Sequence, residues 1–174
     1  MILTGPEITS RVERGDIRID PFDTSRIQPN SYDFRLGDRI GWYTSDILDC
    51  ARDNPFTQQT IPTDGFELQP HRIYLASTRE RIGSDTCVPI IRARSSIARL
   101  GLFVHVTADL IDLGSHGQLT LQLHAVQPVI IYPRLLIGQV TFWETTGDRV
   151  LYAGKYQHSH GPQPSKAHLD FEAR

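Results

Sequence analysis

The run QLTLQLHAV, Gln118 to Val126, alternates polar and apolar side chains as far as Ala125. A period of two puts Leu119, Leu121 and Leu123 on one face of a strand, and Gln118, Thr120, Gln122 and His124 on the other. The leucines pack a core, while the polar row faces a cavity or a partner chain. Just upstream, HVTADLID (105–112) sends His105, Thr107 and Asp109 to one side and Val106, Ala108 and Leu110 to the other. Asp112 follows at a turn that runs through Gly114 and Gly117, so the two runs read as a hairpin whose aspartate looks into the space beside the polar row.

Working outward, similar runs recur about every eight to twelve residues between Pro, Gly and Asn, which is the spacing of many short strands. They are SYDFRLG (31–37), FELQPHRIYLAST (66–78), GLFVHVTADLID (101–112), PVIIYP (128–133) and GQVTFWE (138–144). The pattern predicts a mainly β sandwich or barrel. Two stretches break it. LTGPEITSRVERG (3–15) reads as a short helix with Thr4 as cap, Pro6 in the first turn, Glu7 completing a capping box and Gly15 as terminator. RARSSIARLG (92–101) reads as a short internal helix capped by Ser95 or Ser96 and closed by Gly101. Spare amide donors, two hydroxyls and Arg92, Arg94 and Arg99 suit a phosphate there, although a capped helix with solvated arginines has the same sequence signature.

With 174 residues, 39% of them hydrophobic, one folding unit spanning 1–174 is expected. A formal net charge of −2 argues against a general nucleic-acid binder. Cys50 and Cys87 are far apart and lack the spacing of a zinc or redox site, so both read as buried thiols. No apolar run reaches the roughly 18 residues that span a bilayer, and MILTGPEITS is not a leader peptide, which together predict a cytoplasmic protein without membrane contact. The segment 153–174, rich in Gly, Pro, His and Ser, reads as a mobile tail; it carries both lysines of the chain, Lys155 and Lys166, and so also suits a lid over an anionic ligand.

Taken singly, the polar residues leave the chemistry open. An aspartate at a turn is commonly an Asx residue, and His105 and His124 have no second ligand at a productive metal spacing. Zinc-dependent deamination needs His-x-Glu with Pro-Cys-x-x-Cys, and a Ser-His-Asp hydrolase needs a Gly-x-Ser-x-Gly elbow; the chain has neither.

The block RSSIARLGLFVHVTADLIDLGSHG (94–117) resembles the dCTP deaminase family of the trimeric dUTPase superfamily. The likeness extends to GDIRIDPFD, QPNSYDFRLGD, YPRLLIGQVTF and the tail GKYQHSHGPQPSKAHLDF, almost the whole chain. The resemblance implies a distorted, jelly-roll-like β-barrel of the dUTPase type, assembled as a homotrimer. Its active sites would lie between subunits, with the tail closing over a deoxypyrimidine triphosphate and its Mg2+. By matching motif, Arg94 and Ser96 point to phosphates, and Ser95 and Arg99 to the base and its water. The Ala108 backbone would touch the base, Asp112 the sugar 3′-hydroxyl, and Lys155 the phosphates. Thr120 and Tyr152 join this substrate-binding set.

The chain departs from that family at Gln122, where the deaminases resemble one another in carrying a glutamate that shuttles protons. An amide has no accessible pKa near neutrality, and the acid–base share lost with it is on the order of 10² to 10⁴ in rate. Ser159, in place of a tail glutamine, and Asp109, after Ala108, are further departures. With Asp112 retained, these changes favour diphosphohydrolysis, a deoxynucleoside triphosphate giving the monophosphate and pyrophosphate through an oriented water. Deamination of dCTP, with Gln122 engineered or compensated, and a catalytically silent nucleotide-binding regulator are the alternatives.

Overall fold

The structure, a computed structural model, describes residues 1–105 and 107–172. Val106, which the alternation puts beside Ala108, and the last two residues of the tail lie outside the described residues. The chain builds a mainly β, barrel-like fold. Helix α1 (Gly5–Glu13) precedes strands β1 (Ile17–Asp20), β2 (Ile27–Gln28), β3 (Ser31–Tyr43), β4 (Phe56–Thr60), β5 (Phe66–Leu68), β6 (Ile73–Ser84) and β7 (Cys87–Ala93). Helix α2 (Ser95–Ala98) leads to β8 (Leu102–Phe103), β9 (His116–Ala125), β10 (Val129–Ile131), β11 (Leu136–Glu144) and the terminal helix α3 (Leu169–Glu172).

One sheet runs β7-β11-β3-β6-β9-β8, with β1 added to β6 and with β2 and β4 added to β3; β5 and β10 pair separately. All these pairings are antiparallel. The long strands β3 and β6 shift register between Leu36 and Ile40 and between Ser77 and Arg81. Such irregularities bend a strand, which lets a long sheet curl over its own core. The alternation in β9 is realised: Gly117, Leu119, Leu121, Leu123 and Ala125 are buried, and the intervening residues are half-buried. Tyr32, Phe34, Leu36, Ile40, Ile82, Val140 and Phe142 from the facing strands complete the core. One charge lies wholly inside it: Glu80 accepts from Arg26 at 2.9 Å, from the Arg35 side chain at 3.0 Å and from the Arg35 amide at 2.9 Å. Those partners offset the cost of desolvating its carboxylate.

Several expectations are corrected. Thr4 is the N-cap of α1, but its side chain makes no capping bond. Glu7 instead accepts from Arg11 at 2.8 Å, because a charge-assisted i,i+4 pair competes with the reach back to the cap. Arg94, not Ser95 or Ser96, is the N-cap residue of α2. FELQPHRIYLAST is two strands, broken by a turn in which His71 takes a φ of 61°. GLFVHVTADLID forms β8, whose two-residue ladder with Ala125 and His124 joins it to β9, and one isolated bridge, Ile90 with Leu110; among the described residues the hairpin ladder does not extend past Phe103. The edge of β9 that such a ladder would need is occupied by residues 158–163 of the tail. The tail is therefore seated rather than loose. Cys87 is buried as expected, but Cys50 is exposed.

Candidate active site

A cavity of about 480 Å3 opens between the polar face of β9, the loop 107–115 and the tail. Its size and mixed lining suit a small organic ligand. Thr120 and Gln122 enter it from alternate positions of β9, and Leu75, the cross-strand neighbour of Gln122 on β6, forms an apolar wall. Ala108, Leu110, Ile111, Asp112 and Ser115 line the loop side. This loop is held although it is not a strand. Ile91 donates to the Asp109 carbonyl at 3.0 Å, Ile111 to the Pro89 carbonyl at 2.9 Å, and Gly114 to the Ser84 carbonyl at 2.8 Å. Gly114 has a φ of 79°, which a glycine adopts without strain, and the turn it makes brings Asp112 back toward β9.

Asp112 is exposed and is the only carboxylate among the described residues lining the cavity. His105 shares a very short contact between Nε2 and the Ala108 carbonyl, and burial pushes its imidazole below the usual histidine range. A neutral ring facing a carbonyl must carry its proton on Nε2, so the main-chain oxygen of Ala108 is engaged within the loop.

The tail supplies the remaining wall through Tyr152, Tyr156, Ser159, Gln163, Pro164 and Ser165. Tyr152 donates its amide to the Leu113 carbonyl at 2.7 Å, and its hydroxyl accepts from the Tyr156 amide at 3.1 Å. Ser159 donates its hydroxyl to the Gln118 carbonyl at 2.7 Å, Gln163 donates its amide to the Thr120 hydroxyl at 3.2 Å, and Ser165 donates its amide to the Tyr43 hydroxyl at 2.7 Å. Lys155 is outside the cavity lining; it donates to the Asp170 carboxylate at 2.7 Å and to the Lys166 carbonyl at 2.9 Å.

The other anticipated residues form a second recess of about 420 Å3, where Arg94, Ser95, Ser96 and Arg99 meet Gln28, Asn30, Ser31, Asp33 and Gln139. Arg94 Nε pairs with the buried Asp33 carboxylate at 3.1 Å. Burial pushes the Asp33 carboxyl up, and the Arg94 guanidinium opposes that shift. Within one chain, then, Ala108, Asp112, Thr120, Gln122, Tyr152 and Ser159 share one cavity, whereas the arginine–serine group has its own. Tyr43, Leu75 and Gln163 are cavity residues that sequence reasoning missed. Gln163 had one signal: the Gly161-Pro162 and Pro164 punctuation marks an extended strap rather than a frayed end.

No helix among the described residues is long and apolar enough to cross a membrane. A family model described as dCTP deaminase-like matches residues 2–145. A protein of Rhodopirellula baltica named dCTP deaminase is 47% identical over 98% of this chain and 86% of its own length. Proteins named dCTP deaminase, dUMP-forming, are 41% identical in Hathewaya histolytica, over 99% of this chain and all of that protein, and 43% identical in Clostridium beijerinckii, over 99% of each. The crystal structure of the 2′-deoxycytidine 5′-triphosphate deaminase from Agrobacterium tumefaciens superposes with a TM-score of 0.64 at 18% identity. That match covers 81% of this chain and 47% of the longer one, and it establishes the likeness of fold.

Proposed function

This chain belongs to the dCTP deaminase-like family, and from that premise we propose that it releases ammonia from the cytosine ring of dCTP. The observation that carries the proposal is the meeting of Asp112 and Gln122 in one cavity beside the Ala108 main chain. The expectation of diphosphohydrolysis is corrected: relatives 41 to 47% identical over nearly the whole chain are named for deamination. The Asp112 carboxylate, on which that expectation relied for hydrolysis, faces the same cavity as Gln122 and supplies an ionisable group for deamination there.

In this reading Gln122 holds the attacking water and an edge of the base, since its amide both donates and accepts. Asp112 takes a proton from the water as its oxygen bonds to C4, and N3 is protonated as the C4–N3 π pair moves onto it. The second water proton then passes to N4, the C4–N4 bond breaks, ammonia leaves and C4 keeps the oxygen. Both protons of the water are thus accounted for, one on N3 and one in ammonia.

The triphosphate belongs with the other recess. Arg94, Arg99 and the Ser95 and Ser96 hydroxyls suit phosphate oxygens and the base-side water, and the carboxylate of Asp33 orients Arg94. Because these residues and the cavity are separate in one chain, the complete site is one in which the recess of one subunit faces the cavity of a neighbour, as a homotrimer provides. Lys155 would exchange Asp170 for phosphate on closure. Among the described residues no group of three or more His, Cys, Asp or Glu side chains is arranged to hold a metal. Magnesium fits as an ion carried by phosphate oxygens and water, where it would neutralise triphosphate charge.

Subunit complementation tests the shared site. Arg94→Ala and Asp112→Asn proteins, each inactive alone, are expected on dissociation and reassociation to recover activity at roughly one quarter of the sites. Mixtures as inactive as their components would contradict a site built from two chains.

A further inference from the structure

We propose that Gln118 is the positioning residue that seats the tail over the cavity and so sets the width of the substrate site. The inference rests on reading that cavity as the dCTP site. Beyond β8, which pairs with Ala125 and His124, one edge of β9 has no strand neighbour among the described residues, and the tail runs along it. His158 donates to the His116 carbonyl at 2.8 Å, and Gln118 donates to the Ser159 carbonyl at 2.9 Å. Ser159 returns a bond from its hydroxyl to the Gln118 carbonyl. At Gly117 the two segments approach closely: a Cβ there would stand 2.8 Å from the Ser159 nitrogen. Gly117 thus gives the room, and Gln118 gives the bonds.

The Gln118 side chain joins the sheet to the tail at both ends of its amide. Its Nε2 donates to the Arg79 carbonyl on β6 at 3.1 Å, and its Oε1 accepts from the Gly161 amide at 2.7 Å. The amide therefore bridges a carbonyl of the sheet to an N–H of the tail. A carboxylate would set oxygen against the Arg79 carbonyl, and an apolar side chain of the same length would leave both backbone groups to water or unpaired. The bridge lies between Ser159 and Gln163, both of which line the cavity. Register at Gln118 consequently fixes where Gln163, Pro164 and Ser165 stand opposite Thr120 and Gln122.

The test uses the intact chain carrying Gln118→Met, which keeps side-chain length and packing. With magnesium and dCTP, KM is expected to rise roughly tenfold while kcat stays within about threefold, as befits loss of binding order rather than of a reacting group. In the nucleotide-free protein, amides 157–165 are expected to exchange hydrogen faster than wild type, with β3 and β6 unchanged. Unchanged exchange in 157–165 would overturn the proposal, and so would acceleration throughout the sheet, which marks a merely structural role. If wild type released no ammonia from dCTP, yet exchange rose only in 157–165 of the variant, the seating role would stand and the reading of the cavity would fall.

Discussion

Replacing Gln122 with glutamate is expected to raise ammonia release from dCTP by on the order of 10² to 10⁴, the share of rate that a positioned acid–base group contributes. Gln122 enters the cavity from β9, with the apolar wall of Leu75 as its cross-strand neighbour. Its amide can hold a water and a base edge, but it cannot carry a proton from one to the other. Glutamate has nearly the same shape and reach, so Gln122→Glu adds proton transfer while leaving packing almost unchanged. The comparison is single-turnover ammonia release for the two proteins with saturating dCTP. Equal rates would mean that proton transfer already runs at full efficiency through other groups, and the role given to position 122 would fail.

The second large effect is a loss. Asp112→Asn removes the only carboxylate among the described cavity-lining residues and is expected to lower kcat for ammonia release by on the order of 10² or more. Asparagine retains the size of the side chain and its capacity for hydrogen bonds, and it loses only the ionisable oxygen. Nucleotide binding, measured by calorimetry, should therefore stay close to wild type. The turn around Asp112 is held by backbone bonds, Ser115 to the Asp112 carbonyl at 3.1 Å and Gly114 to the Ser84 carbonyl, so the substitution leaves its supports in place. Full turnover in Asp112→Asn would reassign the proton acceptor.

Much of this was legible in the sequence where the determining signal is local. The period-two run from Gln118 to Ala125 announces β9, its buried leucines and its polar face without knowledge of any other strand. The punctuation by glycine and proline likewise announces a mainly β fold. What could not be read depends on competition between segments. Residues 105–110 alternate in sequence as a strand would, but the β9 edge such a strand would need is held by the tail, and residues 107–111 settle as a loop bonded to β7 at Ile91 and Pro89. The tail in turn has the composition of a frayed end, yet its backbone finds partners at His116, Gln118 and Thr120, and these contacts connect residues about 40 positions apart. The grouping of site residues shows the same limit. Arg94, Ser95, Ser96 and Arg99 are near Asp112 in sequence, yet α2 turns them toward Asp33 and away from the cavity. The motif that made them candidates carries no information about which cavity they line.

The most direct measurement is an assay of the unmodified protein with magnesium and either dCTP or dUTP, following ammonia and pyrophosphate in the same tube. Release of ammonia from dCTP, lost in Asp112→Asn, is the expected result. Pyrophosphate from dUTP with no ammonia from dCTP would contradict deamination as the reaction of this cavity.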